Sequence, residues 1–90
     1  MVSHVFFVGT RRYILKNYFG DNEIMNFRLY FGDSPIWTFT AFSVSPLYDG
    51  QWHWQFADMP DTIKQFENLE DRVAYSVALK YLKKIYEKEA

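Results

Sequence analysis

Two histidines, His4 and His53, are the side chains of this chain best suited to acid–base chemistry near neutral pH. A catalytic histidine needs a nucleophile or an orienting carboxylate beside it, and the spacing along the chain suggests neither. Asp33 and Asp49 stand next to glycine or serine in turn-forming segments, where turn chemistry accounts for them. We therefore expect no catalytic residues and predict that the protein is not an enzyme.

Metal and phosphate chemistry have equally little support. The chain contains no cysteine, which excludes disulfides, thiolate catalysis and cysteine-based zinc sites. The segment Gly9-Thr10-Arg11-Arg12 superficially resembles a phosphate-binding loop, but it lacks the second glycine and the Lys-Ser/Thr ending of that motif. The sequence therefore predicts neither a bound metal nor a cofactor.

The run Trp52-His53-Trp54 places two indole rings on the same side of an extended strand. Such a pair could stack on nucleic-acid bases or enclose a cationic ligand. Phe56 continues the same alternation, which favours a simpler interpretation. We expect Trp52 and Trp54 to belong to the core, with His53 pointing outward between them.

Aromatic residues make up 21% of the 90 residues, and fifteen of the nineteen precede residue 57. Bulky rings stabilise a small chain that has no disulfide, because each buries a large area. The length predicts one domain, residues 1–90. The formal net charge is −1, no signal-type segment begins the chain, and no apolar run reaches the length of a membrane span. We expect a cytoplasmic protein without a membrane partner.

The order of elements predicts an α+β fold, a three- or four-stranded antiparallel sheet covered on one face by a long C-terminal helix. Residues 11–19 fit a short helix, with a strand as the alternative. The predicted strands cover residues 2–8, 24–31, 36–43 and 51–57, from their β-branched and aromatic content and period-two alternation. The helix is predicted over residues 69–88, with Asn68 as its N-cap.

Alternation also predicts how the two central strands pair. A three-residue loop, Gly32-Asp33-Ser34, sets Leu29 against Trp37 and makes one sheet face wholly apolar, whereas a two-residue loop sets it against Thr38. We prefer the apolar match. The predicted core then consists of Val5, Phe7, Met25, Phe27, Leu29, Phe31, Trp37, Phe39, Trp52, Trp54, Phe56, Ala78, Leu82 and Ile85.

The other sheet face is the candidate site. It would carry tyrosine, arginine, histidine and hydroxyl side chains, a composition typical of protein interfaces. The predicted partner-binding residues are Arg28, Tyr30, Thr38, Thr40, Phe42, His53 and Gln55. They suggest a small non-enzymatic protein-binding module that docks through this face or an edge strand. An inhibitor or immunity-type protein of the kind that phages and mobile elements encode would fit, and homo-oligomerisation is compatible.

Nucleic-acid binding is the alternative function. In that hypothesis the sheet aromatics stack on bases, while Arg11, Arg12, Lys16 and Arg28 contact phosphates. The net charge of −1 and the acidic middle of the chain argue against it, because such domains are usually basic.

Overall fold

The computed structural model describes residues 2–20, 23–44, 53–59 and 67–86. These described residues form five strands and one helix: β1 (Ser3–Val8), β2 (Arg11–Gly20), β3 (Ile24–Phe31), β4 (Ser34–Val44), β5 (His53–Met59) and α1 (Leu69–Tyr86). The strands form one antiparallel sheet in the order β1-β2-β3-β4-β5. The α+β prediction with a C-terminal helix on an antiparallel sheet is confirmed, but the predicted strand number was too low by at least one.

The extra strand is β2, which we predicted as a short helix over residues 11–19. Gly9 and Thr10 form a two-residue turn, with Gly9 at a φ of +61°, that folds β2 back against β1. Tyr13 and Leu15 are both fully buried, at strand spacing, whereas Ile14 between them points to the other side of the sheet. A register shift between Asn17 and Phe19 interrupts the alternation, which is why the strand pattern was weak in the sequence.

The predicted register of β3 and β4 is confirmed, although the predicted loop is not. Leu29 pairs with Trp37, and two further predicted pairs, Phe27 with Phe39 and Met25 with Ala41, also occur. The loop has two residues rather than three, because Phe31 pairs with Ser34. Tyr30 pairs with Pro35 and Leu29 with Trp37, so Ile36 is an extra residue on β4 with no counterpart on β3. This bulge brings Leu29 opposite Trp37 despite the shorter loop.

Strand β1 presents the opposite face from the one we predicted. Val5 and Phe7 were expected in the core, but both are exposed. Phe6 and Val8 pack against the core instead, and His4 stacks on Tyr81 of α1 with ring centroids 4.0 Å apart. Residues 5–8 are all apolar, so their sequence offers no contrast between the two faces.

Helix α1 begins after Asn68, whose side-chain oxygen accepts hydrogen bonds from the backbone N–H groups of Glu70 (2.8 Å) and Asp71 (3.2 Å). The predicted N-cap is thus confirmed. Three buried residues, Ala74, Ala78 and Leu82, form the stripe that faces the sheet. Two alanines allow a close approach of the helix to the sheet.

Two tyrosines beside this stripe pack on rings of β3, β4 and β5. Tyr75 packs on Trp37 and Phe39, while Tyr86 packs on Phe27 and Phe56. Ile85, which we predicted in the core, is exposed instead. Residue 52 and the predicted helix end beyond Tyr86 lie outside the described residues. No helix in the described part of the chain is long and apolar enough to cross a lipid bilayer.

Candidate protein-interaction surface

The surface of the sheet opposite α1 is termed the open face. Alternate residues of every strand lie on it, and cross-strand pairing arranges them in rows. One row joins Val5, Ile14 and Tyr30, and the next joins Lys16, Arg28 and Thr38. The described strand residues of the open face are Ser3, Val5, Phe7, Arg12, Ile14, Lys16, Tyr18, Ile24, Asn26, Arg28, Tyr30, Pro35, Thr38, Thr40, Phe42, Val44, His53, Gln55 and Ala57.

All seven predicted partner-binding residues lie on the open face. Arg28 pairs with Thr38, Phe42 pairs with Gln55, and His53 pairs with Val44. Tyr30 and Thr40 occupy the same side, opposite Pro35 and Asn26 respectively. The alternation of the sequence therefore grouped these side chains as the structure does, although grouping alone does not make each one accessible.

Accessibility divides the seven residues into two groups. Thr38 and Thr40 are only 6% and 3% exposed, so neither presents a side chain to a partner. The Thr40 hydroxyl donates a 3.1 Å hydrogen bond to the Asn26 side-chain oxygen. Phe42 and Gln55 are exposed, whereas Arg28, Tyr30 and His53 are half-buried, so part of each of these five side chains is accessible.

Two large apolar side chains of the open face were missed because their strand was assigned the wrong face. Phe7 is 63% exposed and Val5 is 43% exposed, at one side of the sheet. Phe42, on β4, is 42% exposed. Three of the larger exposed apolar residues of the described chain thus lie on the same sheet face.

Charge is segregated on the open face. Arg12, Lys16 and Arg28 lie there, and none of the described strand residues on that face is acidic. Two of these cations lie over aromatic rings, with the Arg28 guanidinium carbon 4.2 Å from the Tyr18 centroid and the Lys16 ammonium nitrogen 5.7 Å from the Tyr30 centroid. These cation–π contacts hold positive charge next to aromatic surface.

Arg11 does not join the other cations, because it lies on the helix side of the sheet. Its guanidinium donates hydrogen bonds to the Tyr13 hydroxyl (2.9 Å) and to Asp71 (3.1 Å), and its central carbon lies 3.6 Å from the centroid of the Phe31 ring. The Tyr13 hydroxyl in turn donates a hydrogen bond to Asp71. This Arg11–Tyr13–Asp71 cluster ties β2 to the first turn of α1.

The cluster has a structural rather than a catalytic character. Tyr13 is fully buried, so its hydroxyl has no access to a substrate. Burial, followed by the hydrogen bond to Asp71, raises the pKa of Tyr13 above its ordinary value. Asp71 stands in the first turn of α1, where the helix dipole favours a negative charge. In the described residues, no group of three or more histidine, aspartate or glutamate side chains could hold a metal ion.

This chain matches no protein-family model, no curated protein and no solved structure.

Proposed function

We propose that the protein is a small non-enzymatic protein-binding module that contacts its partner through the open face. The observation that carries this proposal is the exposure of Phe7, Val5 and Phe42 on a face whose charged groups, among the described strand residues, are all cationic. An inhibitor or immunity-type protein, of the kind that phages and mobile elements encode, acts by covering another protein's surface in this way.

The composition of the open face supports a protein partner. Aromatic residues and arginine are enriched at protein interfaces, and tyrosine and arginine are also enriched among the residues that contribute most to binding. Tyr30 lies beside Ile14, and Lys16 lies over its ring. A partner that covers this group would bury the apolar surface of Tyr30 and Ile14 next to the positive charge of Lys16.

The charge of the open face favours an acidic partner segment. A carboxylate placed near Arg12 or Lys16 would meet positive charge without a competing acid from the described part of this face. Both cations are exposed, so screening by salt will weaken their attraction. We therefore expect the association rate to fall as ionic strength rises.

An affinity-capture comparison tests the proposal. Wild-type protein, the double variant R28A/Y30A, the variant F42A and the control K83A, whose exposed lysine lies on α1, serve as baits in lysate from the native host. We expect one partner to be retained by wild type and K83A and lost by the open-face variants, with unchanged melting temperatures. Equal recovery by all four folded baits would contradict the proposed surface.

Nucleic-acid binding is a second candidate, because Arg12, Lys16 and Arg28 share the open face with Tyr30. Arg11 contributes nothing to it, since Asp71 holds its guanidinium on the other side of the sheet. Phosphate-driven binding is strongest at low salt, so filter binding to single-stranded DNA and RNA at about 50 mM salt separates the two functions. We expect the protein to retain neither DNA nor RNA on the filter. Retention that the variants R12A and K16A abolish would favour the nucleic-acid function over the protein-binding one.

A further inference from the structure

Strand β1 forms one edge of the sheet, and its own sequence and pairing lack the features that usually protect an edge strand. Its six residues, SHVFFV, carry no lysine, no acidic residue and no proline, and its pairing with β2 contains no bulge. Natural edge strands are usually guarded by such features, because their free backbone groups attract another strand. Within the described part of the chain, β1 pairs with β2 alone.

The pairing with β2 determines which backbone groups point outward. Asn17 donates its N–H to the Val2 carbonyl, and antiparallel pairs alternate between hydrogen-bonded and non-hydrogen-bonded positions. Continued along the register, this alternation directs the backbone groups of His4, Phe6 and Val8 toward β2. The N–H and C=O groups of Ser3, Val5 and Phe7 therefore point to the free edge.

Exposed apolar side chains lie on both sides of this edge. Val5 and Phe7 lie on the open face. On the helix side, Asp71 contacts Arg11, the partner of Val8, and Tyr81 stacks on His4, so α1 runs alongside β1. The ten residues from Asp71 to Tyr81 rise about 15 Å along the helix, and the four residues from Val8 to His4 span about 13 Å along the strand. The two lengths agree, as they should if α1 and β1 run side by side.

The flank of α1 that carries Tyr81 also carries Val77, one helical turn earlier, and Val73, two turns earlier. Both valines are exposed, as is Lys84 on the same flank. The edge of β1 is thus bordered by Val5 and Phe7 on one side and by these valines on the other. A strand that pairs with β1 would bury apolar surface on both of its sides.

We propose that β1 pairs with β1 of a second copy of this chain, antiparallel, about a two-fold axis at Val5. In this register Val5 faces its own counterpart, and Ser3 faces Phe7 of the other copy. Each of the three outward-pointing residues then exchanges both of its backbone hydrogen bonds, and no other register engages all three. The two sheets join into one ten-stranded sheet with both helices on the same side.

The charge distribution explains why the occupant is a second copy and why it meets this edge. Two copies of the open face would bring Arg12, Lys16 and Arg28 against the same three cations, so face-to-face self-association is repulsive. Strand β1 has no charged residue, so the two paired strands oppose no like charges of their own. A two-fold contact requires such a self-complementary surface.

Cysteine cross-linking tests the register in a chain that has no cysteine of its own. Opposed residues of a hydrogen-bonded pair have Cα atoms about 5.5 Å apart, within reach of a disulfide. V5C is expected to form a disulfide-linked dimer on oxidation. S3C is the matched control, because the two Ser3 Cα atoms would be about 14 Å apart, beyond disulfide reach. Equal linking of both variants, or preferential linking of F7C, would overturn the proposed pairing.

Light scattering across a dilution series tests the dimer without a cross-link. The wild-type mass is expected to be twice the 10.8 kDa of the chain at the higher concentrations. F7K should remain monomeric, and so should V5P, whose missing N–H points to the free edge rather than to β2. F42K also replaces an exposed phenylalanine by lysine, but on β4, so this variant should still dimerise.

A wild-type protein that is monomeric throughout the dilution series, or an F7K variant that dimerises like F42K, would overturn the proposal. Circular dichroism of each variant establishes that it is folded. The outcome is independent of the proposed function, since R28A/Y30A is expected to dimerise normally while losing its partner.

Discussion

At the residue scale, Arg11 and Arg12 show how strand alternation separates two neighbours that look equivalent in the sequence. Arg11 lies on the helix side and is engaged by Tyr13 and Asp71, whereas Arg12 lies exposed on the open face. The nucleic-acid hypothesis treated them as one group. A residue's type predicts which ligands it could bind, but the sheet register decides whether it can reach them.

Tyr13 is the residue whose substitution best tests the buried cluster. Y13F keeps the ring but removes the hydroxyl that bonds both Arg11 and Asp71. Because a hydrogen bond to a charged group contributes about 1.5–3 kcal/mol, we expect the free energy of unfolding at pH 8 to fall by about that amount. Urea denaturation measures it. Y30F, on the open face, is the control, and an equal effect of both variants would contradict the role of the cluster.

The difference in free energy of unfolding between wild type and Y13F should depend on pH. The folded state holds the Tyr13 proton more tightly than the unfolded chain does, because its pKa is raised in the fold. Tyr13 therefore contributes stability that is fully present below about pH 10 and is lost as the pH rises through the raised pKa. We expect the stability difference between wild type and Y13F to narrow from pH 8 to pH 11. A difference that widens would contradict the assignment.

At the element scale, the β3–β4 hairpin shows what a sequence can and cannot specify. The register was predictable because only one alignment makes a face wholly apolar, and a slip by one residue would invert every side chain. The loop length was not predictable, since a two-residue turn plus an extra residue at Ile36 gives the same alignment as a three-residue loop. The hydrophobic pattern therefore determines facing pairs rather than the path of the turn.

The failures on β1 and β2 have a different cause. Residues 5–8 are uniformly apolar, so either face could be buried, and only the position of α1 decides. In β2, Ile14, Leu15, Tyr18 and Phe19 satisfy helical spacing as well as an irregular strand, and pairing with two neighbouring strands selects the strand. Both decisions depend on contacts between distant segments, which local patterning does not contain.

The turn between β3 and β4 should make the stability of the protein sensitive to substitution of Gly32. Its φ of +59° lies in the left-handed region, and a Cβ added there would meet open space, so backbone strain is the sole penalty. G32A should lower the free energy of unfolding by about 1–2 kcal/mol, the usual cost of that conformation for an L-residue. D33A is the control, because no residue other than glycine has a positive φ in the described chain. Equal effects of the two substitutions on urea denaturation would refute this explanation.

At the scale of the whole molecule, α1 and the sheet share one core, which has a consequence for how the protein unfolds. Ala74, Ala78 and Leu82 contact the layer that contains Tyr13, Leu15, Phe27, Leu29 and Phe39, all fully buried. Neither layer can keep its apolar face away from water without the other. The exposed open-face residues Val5, Phe7 and Phe42 do not belong to this core.

The last prediction follows from that shared core. L82A removes a fully buried side chain between helix and sheet, so we expect it to lower the free energy of unfolding by about 2–5 kcal/mol. Tryptophan fluorescence reports on the sheet and circular dichroism at 222 nm on the helix, and both transitions should shift together. I85A, on the same helix but exposed, should shift neither by more than about 0.5 kcal/mol. If α1 melted before the sheet in L82A, the sheet would be stable without its helix, and the shared core would not be what holds the fold together.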